Sequence, residues 1–529
     1  MIKRPSSTRA RSWISASLLG VAAAAALGLT LFTSSPTFAQ DAAAVAPTVA
    51  EAEAAAPDAV AAAPDAVAAA PVEEAAPAFP ELATSVPDKG DTTWMLFSTA
   101  AVLLMTIPGL ALFYGGLVRA KNIVSMLTQV TVVVSIGIVI WALWGYSMAF
   151  TDGGGMNAYV GGFSKVFLNT VTTSTVAESF SVGVVIPELA FVMFQMTFAA
   201  ITAALVLGGV AERMKMIGVV LFAIIWPTLV YYPIAHMVWW WAGPIGAAQQ
   251  DAAATVAGAG LIWQQGALDF AGGTVVHINS GIAALMGALI CGKRVGYGKE
   301  SMAPHSLPLT LAGSGLLWFG WFGFNAGSNL ESNAYAALAM FNTFLAPAAA
   351  ALSWVAAEWI FKRKPTLLGA ASGLVAGLVV VTPMAGFAGP MGALISGLVV
   401  SPICLLFCSA VKSALKYDDS LDVFGIHCIG GITGAILTGL VVNPAWGGAG
   451  VVDYTTCNAA TLVCDVAAYD MVTQVTAQLK AVVITLLWSG VLSAIIFFVL
   501  KLIGALRSSD EAQVEGLDIS DHGERAYHN

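Results

Sequence analysis

Apolar runs longer than the roughly 20 residues that a helix needs to cross about 30 Å of hydrocarbon recur along this chain. Inside lipid every backbone N–H and C=O must find its partner within the protein, so runs of this kind become helices rather than open strands. A closed barrel would instead need strands that alternate apolar and polar side chains, and these runs do not alternate. Eleven runs stand out, starting near Trp94, Ile123, Glu188, Ile217, Phe270, Leu307, Ala334, Leu367, Met391, Val423 and Met471. Each closes within about 20 to 35 residues of its start. Only 10% of the 529 residues are charged, against roughly 25% in soluble proteins. The expected fold class is an all-α polytopic membrane protein with eleven transmembrane helices.

Eleven is odd, so the two ends of the bundle's chain lie on opposite faces. Alternate loops, those holding Arg119, Arg213, Lys293, Lys362 and Lys412, carry fifteen Lys and Arg together with the C-terminal end. The other face carries three, Lys89, Lys165 and Lys480. Positive charge marks the cytoplasmic side, which predicts the N-terminus outside and the C-terminus in the cytoplasm of a bacterial inner membrane. The formal charge of -9 gives no footprint for nucleic acid, and much of it lies in the tails.

The leading segment agrees with that orientation. Lys3, Arg4, Arg9 and Arg11 precede an apolar stretch and the small-residue site Thr37-Phe38-Ala39, which reads residues 1–39 as a removed signal peptide. Residues 40–90 form an acidic Ala/Pro-rich linker with Pro57, Pro64 and Pro71 spaced by seven, where proline interrupts any helix that alanine would favour. The eleven-helix domain is expected over 91–507 and a cytoplasmic tail over 508–529. Cys457 and Cys464 fall in an outward loop where a disulfide is permitted, two free thiols being the alternative. No cysteine or histidine set has convincing metal-ligand spacing, and no phosphate-cradling glycine loop is present, so neither a metal, a cofactor nor an enzymatic activity is expected.

A histidine interrupts the fifth run. "HINSGIAAL" from His277 aligns with "HCIGGITGA" from His427 in the tenth, matching Gly281 with Gly431 and Ile282 with Ile432. The copies lie five spans apart, so the repeat must be inverted in the membrane: five plus five helices and an added last one. An ionisable side chain within hydrocarbon is unfavourable by several kcal/mol unless it is neutral, partnered or facing a cavity. Two neutral imidazoles meet that demand together, one donating a ring N–H that the other accepts, with the outer nitrogens left for a small hydrogen-bonding solute.

"TIPGLALFYGGLVRAKNIVSMLTQ", "YYPIAHMVWW", "GALDFAGGTVVHINSGIAAL", "GWFGFNAGSN" and "DDSLDVFGIHCIGGITGAILTGL" resemble, in order, the ammonium transporter family that includes the Mep and Rhesus proteins. The resemblance runs from about Trp94 to Asn529. It implies a homotrimer with one pathway per subunit and ammonium or ammonia as the solute. It places Phe198, Trp239 and Ser328 at an outer recruitment site, with Asp269 in a supporting role. Phe198 and Phe324 correspond to a hydrophobic gate, and Trp321, His277 and His427 to the pore beneath it. From the residues alone, Asp269 reads as an N-cap of the fifth span and Trp239 as one of three interfacial tryptophans with Trp240 and Trp241. Gly320, Gly323 and Gly327 beside Phe324 mark a packed helix surface rather than a lipid-facing one.

Moving a bare ammonium ion through an apolar constriction would be prohibitive, since nothing replaces its hydration, so the expected sequence is recruitment, deprotonation and conduction of ammonia. The tail "EGLDISDHGERAY" resembles the family's cytoplasmic motif and implies control by a PII-type regulator. Two other functions are compatible with parts of the sequence. Paired histidines could hold a haem, although His236, His305, His522 and His528 offer no second pair. The chain could also act as an ammonium sensor through a PII-type partner.

Overall fold

The computed structural model describes residues 85–249, 252–458 and 463–527. The leader expected over 1–39, and the linker expected over 40–90 apart from its last six residues, lie outside the described residues. Among the described residues eleven helices are long and apolar enough to cross a membrane: Lys89–Leu117, Ala120–Phe150, Glu188–Val210, Met216–Trp239, Gly273–Cys291, Leu307–Gly327, Ala334–Lys362, Leu367–Met384, Pro390–Leu415, Phe424–Val441 and Met471–Leu502, here spans one to eleven. The largest departure from the sequence expectation is at span one, which begins at Lys89 rather than near Trp94. Asp88, in extended conformation, accepts the Asp91 N–H at 2.9 Å and so starts the helix among polar residues that hydropathy passes over.

Spans five and ten share one construction. Each opens with a turn of wider π-helix, Gly273–Ile278 and Phe424–Cys428, and continues as thirteen α-helical residues, Asn279–Cys291 and Ile429–Val441. The histidine sits at the same place in each turn, as the inverted repeat requires. The two helices cross where side chains are absent. A Cβ on Gly281 would lie 2.3 Å from the Cys428 nitrogen, and one on Gly431 would lie 3.0 to 3.1 Å from the Gly273 carbonyl, Ile278 and the His277 Cβ. Spans three, five and eight are the most enclosed, and span eleven packs along spans five and ten. Span six meets span one through the expected glycines, since a Cβ on Gly320 or Gly323 would collide with the Ala101 or Ser98 carbonyl.

The two ends of the bundle differ. One, the hairpin face, carries two antiparallel hairpins: β1 (Val176–Glu178) with β2 (Val185–Pro187), and β3 (Val451–Asn458) with β4 (Val463–Ala467). Cys457 and Cys464 are bonded within the second. The opposite end, the tail face, is closed by two short helices, Asp510–Glu515 and Leu517–His522. Asp518 accepts the Ser125 N–H of span two at 2.8 Å, and Lys121 donates to the Gln513 and Val514 carbonyls.

Buried charges knit the loops of the tail face. Arg294 makes two parallel bonds to Asp418 and a third to Glu212, which also pairs with Arg119. Burial pushes the Glu212 carboxyl up, but Arg294 and Arg119 more than offset it and hold the group below its usual range. Asp418 is burdened the same way and is likewise held low by Arg294. Arg213, with no exposed surface, spends its donors on the carbonyls of Gly209, Ala211, Gly292 and Asp418 and on the Ser420 hydroxyl. A cluster this densely hydrogen-bonded fixes the loop geometry around the tail-face ends of the spans.

Candidate functional site

Span five owes its entry to one carboxylate. Asp269 accepts N–H groups from Gly272 at 2.8 Å, Gly273 at 2.6 Å, Thr274 at 2.8 Å and Val275 at 3.2 Å, and the Thr274 hydroxyl as well. The capping expected of Asp269 is therefore present, though it acts from three residues upstream of Gly272, which occupies the N-cap position itself, and both oxygens are occupied. Burial pushes this carboxyl up while the Thr274, Gly272 and Gly273 donors pull it back. Gly272 has φ of 114°, a left-handed conformation open to glycine, and it turns the chain tightly enough for all four amides to face the same side chain. The Trp239 indole N–H donates to the Asp269 carbonyl at 2.9 Å, which ties the end of span four to the start of span five.

The three adjacent tryptophans have different surroundings. Trp239 meets the Phe198 ring edge-on with centroids 6.0 Å apart. Trp240 instead stacks on His236, and Trp241 lies between Trp263 and Tyr454 of β3. Below Trp239, Phe198 and Phe324 stack at 4.0 Å with planes 16° apart, a contact that closes the line between the hairpin face and the interior. The Ser328 hydroxyl donates to the Phe324 carbonyl at 2.8 Å, leaving its lone pairs able to accept an N–H.

Beneath the stacked rings the two histidines meet. His277 Nδ1 and His427 Nδ1 are 3.2 Å apart, and the rings lie 5.3 Å between centroids. Trp321 stacks on His277 at 5.4 Å. Thr382 of span eight fixes which nitrogen carries the proton. Its hydroxyl donates to the Leu378 carbonyl at 2.8 Å and accepts the Trp321 indole N–H at 2.9 Å. The remaining contact, to His277 Nε2 at 3.3 Å, must then be accepted from a protonated Nε2. His277 Nδ1 is the acceptor of the pair and His427 Nδ1 the donor. This departs from the sequence expectation that both outer nitrogens stay open: Nε2 of His277 is occupied, and that of His427 is the open one.

The cavity here is lined by Phe113, Leu205, Leu317, Trp321, Phe324 and Val375 among other apolar side chains, with the imidazoles as its polar groups. Its volume, about 10 Å³, suits a single water-sized molecule. Above the stacked phenylalanines the hairpin face opens into a vestibule of about 760 Å³ that includes Trp239, Asp269 and Ser328. Asp152, Glu178, Glu188, Asp269 and Glu331 line it, with Lys165 as the cation among its lining side chains. Lys165 is paired with Glu188, which also accepts the Tyr146 hydroxyl proton at 2.7 Å. Every site residue expected from the sequence thus falls on one line from vestibule to histidines. Thr382 and the vestibule carboxylates other than Asp269 were not foreseen. A threonine within "VVVTP" carries no distinguishing signal, and the carboxylates are scattered over loops whose convergence only folding reveals.

An enclosed, mainly apolar cavity between the two halves of an eleven-helix bundle, beneath an open vestibule, is the setting in which the comparisons with known proteins place a membrane transport protein. The chain belongs to the ammonium transporter family, whose sequence profile, that of the Ammonium Transporter Family, matches residues 93–527. It is 42% identical over 441 residues to the ammonium transporter of Aquifex aeolicus, covering 83% of this chain and 94% of that one. It is 40% identical over 440 residues to the ammonium transporter of Bacillus subtilis, covering 83% and 98%. Among solved structures it is similar to Saccharomyces cerevisiae Mep2, with a TM-score of 0.69, 32% identity, and coverage of 82% of this chain and 90% of that one. It is a multi-pass membrane protein.

Proposed function

We propose that this chain takes up ammonium from outside a bacterial inner membrane, removes a proton near the stacked phenylalanines, conducts ammonia past the paired imidazoles, and passes the proton across by a separate route, so that the net charge moved is that of ammonium. The reading rests on one observation: two histidines from inverted halves touch through their Nδ1 atoms in a cavity otherwise lined by apolar groups. A bare ion could not enter there, because no group replaces its hydration, whereas ammonia could donate a hydrogen bond to the open, unprotonated Nε2 of His427. Excess carboxylate around the vestibule raises the local concentration of cations. Trp239 and Phe198 present aromatic surface to the ion, and Ser328 accepts one of its N–H groups, which potassium lacks. Asp269, fully occupied as a cap, acts through its charge and by holding Trp239, not as a direct ligand.

The hairpin face is the outer one in this reading. A disulfide suits an oxidising compartment, and the tail face carries the Lys and Arg excess. Assembly as a homotrimer, and docking of a PII-type regulator on the tail face, complete the proposal. The names of the relatives favour transport over a role confined to sensing. The test is ammonium-driven current in proteoliposomes. Wild type should respond to an ammonium pulse and not to potassium, while His277→Ala and His427→Ala should each lose rate or selectivity. Normal selective transport by both variants would remove the pair from the mechanism.

A further inference from the structure

The inverted repeat extends beyond the histidines. Asp419 stands eight residues before His427, as Asp269 stands eight before His277. Both are buried at the amino end of their span, and both cap the turn that carries the histidine: Asp419 Oδ2 accepts the Phe424 N–H at 2.8 Å. There the likeness stops. Asp269 has both oxygens occupied by amides and a hydroxyl, whereas Oδ1 of Asp419 is buried with no hydrogen-bond partner among the described residues. An unpaired carboxylate oxygen away from water is unfavourable in its charged form and is relieved by a proton.

The surroundings act in both directions. Lys412 donates to the Asp419 backbone carbonyl and to Asp422 Oδ1, both at 2.6 Å. Asp422 follows in the same loop, and Arg213, Tyr114, Cys408 and Tyr417 face the carboxyl from the neighbouring elements. Burial raises the Asp419 carboxyl, Lys412 draws it down, Asp422 raises it again, the Phe424 and Val423 amides draw it down, and the outcome is a group pushed up to about 6.

We propose that Asp419 is a proton-holding positioning residue of the inner half-pathway: it exchanges a proton with the tail side, and its charge state sets how firmly the turn bearing His427 is held. As a carboxylate it makes a charge-assisted bond to the Phe424 N–H and faces the positive end of span ten. Protonation weakens both interactions, so transport falls as the tail side becomes acid. The coupling to transport rests on the pathway described above.

The full-length protein, reconstituted with known sidedness, is assayed for ammonium-driven current while tail-side pH is varied and the opposite side is held constant. Wild-type current should fall as tail-side pH drops through about 6. Asp419→Asn, which keeps an oxygen for the Phe424 N–H but does not titrate, should be flat over that range. Lys412→Gln removes a charge that favours the carboxylate and should move the midpoint upward. Asp422→Asn removes one that opposes it and should move the midpoint downward. An infrared carboxyl C=O band should grow through the same range in wild type and be missing from Asp419→Asn. Should that last variant fail to fold, the opposed shifts of the other two decide the matter. A midpoint shared by wild type, Lys412→Gln and Asp422→Asn overturns the proposal. Absence of current from wild type at every pH would instead overturn the transport reading, and the infrared band would then judge the Asp419 proton by itself.

Discussion

Span five and span ten are built from the same plan and have become chemically different. Both carry a histidine in a widened turn, thirteen helical residues after it, and an aspartate eight residues before it. In span five the aspartate is saturated by donors, and the histidine is fixed by Thr382 and stacked under Trp321. In span ten the aspartate keeps one oxygen free and the histidine keeps one nitrogen open. The difference teaches that the repeat places groups symmetrically, while neighbours from outside the repeat pair decide which of them is anchored and which keeps an atom unpartnered.

The sharpest test of this contrast is to remove each aspartate. Asp269→Ala strands four amides and a hydroxyl in a buried site, and should lower stability by about 2 to 4 kcal/mol and abolish transport. Asp419→Ala removes a cap on one amide and should lower stability by about 1 kcal/mol. Thermal unfolding in detergent, paired with uptake in liposomes, measures both, and equal losses would break the comparison. Next in size is the crossing of the two helices. Gly281→Ala drives a methyl against backbone and should be destabilising by about 1 to 3 kcal/mol, whereas Gly431→Ala needs its neighbours to yield by only a few tenths of an ångström and should fall at or below the lower end of that range. The same melts decide it.

Thr382→Val comes third. It leaves the indole N–H of Trp321 and Nε2 of His277 without their acceptor, for a loss of about 1 kcal/mol, and it releases His277 from its tautomer. Nitrogen chemical shifts of the two imidazoles should show a defined Nε2–H form at His277 in wild type and a mixture in the variant. The smallest effect is expected at the vestibule. Lys165→Met frees Glu188 and makes the vestibule more negative, so capture of ammonium should strengthen by less than about tenfold and depend more steeply on ionic strength. The salt dependence of initial uptake rate reports it.

Much of this was legible in the chain. The starts of the eleven spans follow from hydropathy to within a few residues, because lipid permits few alternatives to a helix, and the largest offset, at Lys89, arises where a polar cap precedes the apolar run. The histidine pair follows from aligning His277 with His427. Its upstream extension, Asp269 with Asp419, lies in the same register eight residues before each histidine, upstream of the stretch in which the two copies align. Trp239 could not be separated from Trp240 and Trp241 by composition, since three adjacent indoles look alike until one is seen against Phe198. The Cys457–Cys464 bond stood open for a similar reason, because pairing depends on the β3–β4 register that brings the sulfurs together.

By itself the sequence determined the number of spans, their inversion about the histidines, and the family, because these depend on hydrophobic run length and on motifs that read linearly. Tertiary structure alone decided which imidazole nitrogen is open, which aspartate is spent and which is free, and how scattered carboxylates converge on one vestibule. Those properties are set by contacts between spans far apart in the chain, where a shift of about 1 Å makes or breaks a hydrogen bond.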